Sequence, residues 1–170
     1  MPDAVQIVRV SPRLSAGTWA NIYFMHLFGE LDAASLRAAH EVHLALLKRY
    51  PQGTGVMAIS EANTAIPGSD VRDLSSRLMR DLSPDLRACA TVIPGGGFWA
   101  SAVRSFLSAV YFVAKQPCPT RAVATVEEGA LWLGPRAGQI PSQIVGAAHE
   151  VMAAASDAPR RVSERSGRSG

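Results

Sequence analysis

Apolar residues in this chain follow two rhythms. In residues 21–31, NIYFMHLFGEL, Ile22, Phe24, His26 and Phe28 fall on one side of an extended backbone, and Tyr23, Met25 and Leu27 on the other. Both sides are mostly apolar, so the stretch predicts a central strand covered on both faces. A shorter strand, 4–10, precedes it. The period then lengthens. Leu36, Ala39, Leu46, Leu47 and Tyr50 form one stripe of a helix over 33–50, capped by Asp32 and stopped by Pro51 and Gly53.

The same alternation continues. GVMAIS, 55–60, predicts a buried strand, and 61–67 a loop. Ser69 is placed to cap a helix over 70–83, where Val71, Leu74, Leu78 and Leu82 make an amphipathic stripe. Asp73 and Arg77 are spaced for an ion pair on its wet side. Residues 87–94 predict another strand, Gly95 to Gly97 a turn, 98–115 a third helix and 121–126 a last strand. A helical turn over 127–133, a linker over 134–141 and an alanine-rich helix from Ser142 to about Ser156 complete the order. Strands alternating with helices at this spacing predict an α/β fold: a mixed sheet of about five strands, an extra C-terminal helix and a disordered basic tail. The expected division is a domain over 1–133, a linker and helix over 134–158, and the tail over 159–170.

Composition refines this picture. The 170 residues are 48% hydrophobic and 18% charged, which suits one domain with a real core. Net charge is +3, yet the tail alone, with Arg160, Arg161, Arg165 and Arg168 against Glu164, accounts for +3. The body is neutral by subtraction, so charge gives no sign of a nucleic-acid face. The tail offers Arg-Arg-Val-Ser, 160–163, as a basophilic kinase motif at Ser163, or weak contact with acidic lipid headgroups. Cys89 and Cys118 follow no disulfide or metal pattern and are expected reduced. The first ten residues lack the basic and apolar regions of a signal peptide. Arg104 and three serines interrupt the most apolar helix, so stable membrane insertion is not expected. The expected location is the cytoplasm.

Candidate chemistry is sparse. Gly95, Gly97 and Ala100 satisfy G-x-G-x-x-A between a strand and a helix, but the acidic residue wanted about 20 positions later is missing around 118–121. The alternatives are a tight turn, or an anion or small-ligand site at Gly95, Gly96 and Gly97 with Phe98 and Trp99 lining an apolar pocket. His40 and His43 lie three apart with Glu41 between them, without a third metal ligand. No G-x-S-x-G elbow occurs. Glu61, near Asn63, follows the third predicted strand, where α/β sheets place ligand groups. This set predicts neither a catalytic centre nor a cofactor. The third helix carries only Arg104 as a charge between 98 and 114, and Trp99, Val103, Phe106, Val110 and Val113 share a face. That face needs a cover: the C-terminal helix, through Ile144, Ala148, Val151 and Met152, or another subunit.

The element order, with GELD at 29–32, the strand–loop–helix over 56–82 and VEEGALWL at 126–133, resembles the SpoIIAA-like fold of STAS domains and the bacterial STAS/SEC14-like family. The resemblance covers residues 4–133. It implies a non-enzymatic regulatory module acting through a protein partner or self-association, with Phe106, Val110 and Tyr111 on the contact surface. In anti-sigma-factor antagonists of that family a serine opening the helix after the third strand is phosphorylated. Ser69 in IPGSDVR occupies that place, although the family's Asp-Ser-Ser-Gly pattern is not reproduced. The SEC14 side of the family implies an alternative, a carrier of a small apolar ligand or lipid. A nucleotide-binding enzyme using the glycine turn is a third reading.

Overall fold

The computed structural model describes residues 4–62, 64, 67–82, 84–98, 100–105 and 118–156. Six strands form one sheet in sequential order: β1 (Gln6–Ser11), β2 (Leu14–Trp19), β3 (Ile22–Leu27), β4 (Thr54–Ser60), β5 (Leu86–Val92) and β6 (Thr120–Val123). The first three are joined antiparallel, and β3 through β6 run parallel. Parallel neighbours need crossovers, supplied by α1 (Ala33–Arg49), α2 (Ser69–Leu82) and α3, whose described residues are 98 and 100–105. Two further helices, α4 (Val126–Ala137) and α5 (Pro141–Ser156), follow β6.

Crossovers stepping one way along a sheet share one hand, so α1 and α2 lie on one face. There Tyr23, Val56 and Cys89 meet Leu46 and Leu82, while Leu27 meets Leu36, Val71 and Leu74. The opposite face carries Ile22, Phe24, Met57 and Val92 under Ala130, Leu133, Ile144 and Val151 of α4 and α5. The two-sided reading of β3 therefore holds. Asp32 caps α1 as expected, with Oδ1 accepting from the Ser35 backbone N–H at 2.8 Å.

Three expectations are corrected. The sheet has six strands rather than about five, because LSAGTW pairs as β2 along both β1 and β3. Its Ser-Ala-Gly centre looks like a turn in sequence, yet every residue of the strand is buried. A Cβ on Gly17 would sit 2.4 Å from Val151 Cγ2, so that position must be bare for α5 to lie against the strand. Next, the segment expected as a linker from Gly134 is helical to Ala137. Pro135 removes one ladder donor, the N–H that would bond to the Leu131 carbonyl, yet the helix runs on to Ala137 and ends at Gly138 in the left-handed conformation. Finally, the α5 residues offered as a cover for the third helix pack against the sheet. Ile144, Ala148 and Val151 are spent on the α4 face of the sheet, in one core with Phe24 and Met57.

Candidate functional site

The predicted site residues are spread over separate places. Gly95 and Gly97 hold φ of +114° and +98°, conformations that side chains resist, and all three glycines are exposed. Arg104, the one charge of its helix, reaches back to this turn. Its Nη1 donates to the Ile93 carbonyl at 2.9 Å and the Gly95 carbonyl at 3.1 Å. The turn thus presents carbonyl oxygens to its own arginine. Removing the guanidinium leaves both carbonyls without that donor, and R104A is expected to destabilise the fold by about 1–3 kcal/mol. Faster amide exchange over 93–98, with α5 unaffected, would confirm the clamp; unchanged exchange there would refute it.

Phe98 is 91% exposed. Trp99, Phe106, Val110, Tyr111 and Ser163 lie outside the described residues, as does the basic tail. Ser69 is exposed and is the first residue of α2. The Gly68 carbonyl accepts the first helical bond, from Arg72 N–H at 3.0 Å, so Gly68 rather than Ser69 holds the capping position.

His40 and His43 do not act as a pair. His43 is 3% exposed, its Nε2 lies 2.8 Å from Thr54 Oγ1, and its ring stacks on Tyr23 at 4.4 Å between centroids. Burial, with His40 nearby, pushes its imidazole down to about 3. Tyr23 donates its hydroxyl to the Ala39 carbonyl at 3.0 Å, and burial holds that phenol far above its ordinary value. These groups tie α1 to β3 and β4. Among the described residues no three His, Cys, Asp or Glu side chains gather into a metal site. Burial also pushes the Cys89 thiol up to about 12 and the Cys118 thiol upward, so both stay protonated.

A cavity of about 340 Å³ lies elsewhere, between the sheet and the α1–α2 layer. Its floor is the sheet: Tyr23, Met25 and Leu27 from β3, Val56 and Ala58 from β4, Cys89 and Thr91 from β5. Leu36, Ala39 and His43 of α1 wall one side, and Val71, Ser75, Met79 and Leu82 of α2 the other. Ala39, Ala58 and Ser75, small residues of α1, β4 and α2, are among its lining. Ser60, Glu61 and Thr64 border it where β4 ends, with Arg72 from the start of α2. Gly95, Gly96, Gly97 and Phe98 are not part of its lining, although Ile93 and Pro94 just before them are.

One further pair was hidden in the sequence. His26, 2% exposed on β3, places Nε2 2.7 Å from Glu61 Oε1. The parallel register of β3 and β4 sets Leu27 beside Ser60, and Glu61 N–H bonds to the Leu27 carbonyl at 2.8 Å. Thirty-four residues separate the two in sequence, and only the strand pairing joins them. Glu61 was legible as a group beyond a strand end; its partner was not.

Among the described residues no helix is long and apolar enough to cross a membrane. Compared with known proteins, the chain matches no family model, no curated protein and no solved structure.

Proposed function

We propose that this chain is a STAS/SEC14-like binding module that holds a small apolar ligand between its sheet and the α1–α2 layer. The cavity carries the reading: about 340 Å³, with much of its wall made by Leu, Val, Met and Ala, and with Ser60, Glu61 and Thr64 where β4 ends. That is the lower part of the size range of small-molecule sites, about 300–1,000 Å³, and their usual chemistry. The sequential parallel strands with α1 and α2 on one face support the family assignment. Its edge position also agrees with the general tendency of open parallel sheets to take ligands beyond the carboxyl ends of their strands. The protein-contact reading rests on Phe106, Val110 and Tyr111, which lie outside the described residues, so the cavity favours the ligand.

The test is titration with a neutral apolar fluorophore, N-phenyl-1-naphthylamine. Saturable enhancement is expected. Ala58→Phe, from the floor, and Ser75→Phe, from the α2 wall, should each weaken it about tenfold or more while the protein keeps its circular dichroism spectrum. No enhancement with the native protein, or full enhancement in both folded variants, would overturn the proposal.

A further inference from the structure

The border of the cavity holds a carboxylate whose support comes from the other face of the sheet. This inference rests on the reading of the cavity as a ligand site, and it names the chemistry of the ligand. Glu61 lines the cavity, and its side chain is 48% exposed. Oε1 of that carboxylate lies 2.7 Å from Nε2 of His26, whose side chain is 2% exposed.

His26 projects with Phe24 toward the α4–α5 side, beside Phe28 at 5.3 Å between ring centroids. Its other nitrogen, Nδ1, is buried and has no hydrogen-bond partner among the described residues. The hydrogen-bond pattern assigns the ring proton to Nε2, which donates to the carboxylate and leaves Nδ1 as a bare lone pair. The reverse tautomer would set a lone pair against the carboxylate and bury an unmatched N–H, the costlier arrangement. The imidazole therefore fixes one oxygen of Glu61 by donating to it. Among the described side chains, none bonds to Oε2.

A carboxylate fixed beside an apolar space selects a donor, and a cationic donor most strongly. We propose that the cavity takes a slender apolar molecule ending in a protonated amine, anchored on Glu61. Arg72, exposed on α2, also borders the space and offers the opposite selection, for an acidic head. The two are separable with one chain length and three heads.

Isothermal titration of the full chain would use decylamine, decan-1-ol and decanoate, each below its aggregation threshold. The amine is expected to bind about tenfold or more tighter than the carboxylate. Glu61→Gln keeps an oxygen to accept from His26 but removes the charge. It should weaken decylamine about tenfold and leave decan-1-ol within about threefold. Decanoate binding as tightly as decylamine, or an amine preference that persists in folded E61Q, would overturn the anchor. In either case decan-1-ol binding that is lost in A58F would leave the cavity reading standing. If none of the three binds the native protein, both the cavity reading and the anchor fail.

Discussion

Replacing Gly17 with valine is expected to lower folding stability by about 3 kcal/mol, at the upper end of the usual cost of overpacking a core. The glycine sits in the middle of β2, paired with Phe24 of β3, and α5 lies directly over it. Even a single methyl there would meet Val151 Cγ2 at 2.4 Å, and Val151 is fully buried with no empty side to turn toward. The strand cannot retreat, because it is hydrogen-bonded on both edges and Ala16 and Thr18 are packed on the opposite face. Urea unfolding would show a lower midpoint with an unchanged slope. Gly17→Ala and Val151→Ala, alone and together, would show a coupling of about 1 kcal/mol or more, since trimming Val151 makes room for the new methyl. A change below about 1 kcal/mol in G17V would mean that α5 does not press on β2 as described.

Acid should weaken the fold through His43, the second large effect. In the folded chain its imidazole is held down to about 3 by burial, against an ordinary value of 6.5. Between those values the unfolded chain binds a proton that the folded chain refuses. Stability is therefore full above about pH 6.5 and falls with pH by about 1.4 kcal/mol per unit, a loss of roughly 3 kcal/mol by about pH 4. The refusal has a structural cause. The ring lies flat against Tyr23, its Nε2 is committed to Thr54, and Thr54 is itself fully buried. His43→Gln can still bond to Thr54 but has no proton to gain, so its stability should fall more gently over the same window. Equal pH slopes for H43Q and the native protein would exclude His43 as the titrating group.

Legibility in the sequence followed how local each cause was. The β3 stretch was readable because its alternation shows on both faces at once, and α2 because its leucines repeat at helical spacing. Asp32 was readable because a cap acts on the residue three places on. The second strand was not. LSAGTW is small at its centre, Ser15-Ala16-Gly17, where α1 and α5 pack on it from opposite faces, and small residues chosen for contact look like a turn when the contacts are unseen. The helix around Pro135 was hidden because a proline reads as a helix breaker, while the burial of Leu133 and Ala137 that holds this last turn is a tertiary contact.

By itself, then, the chain's pattern determined the class of fold: an alternating α/β order, a central strand buried on both faces and two amphipathic crossover helices. Those properties depend on neighbours one to four residues away, which the order of residues states directly. The cavity and the His26–Glu61 pair were decided only by the tertiary structure. The cavity is lined at once from β3, β4, β5, α1 and α2, and no one segment records that. The pair exists because parallel β3 and β4 align in one register, and a slip of one residue would turn the side chains to the other face and break it.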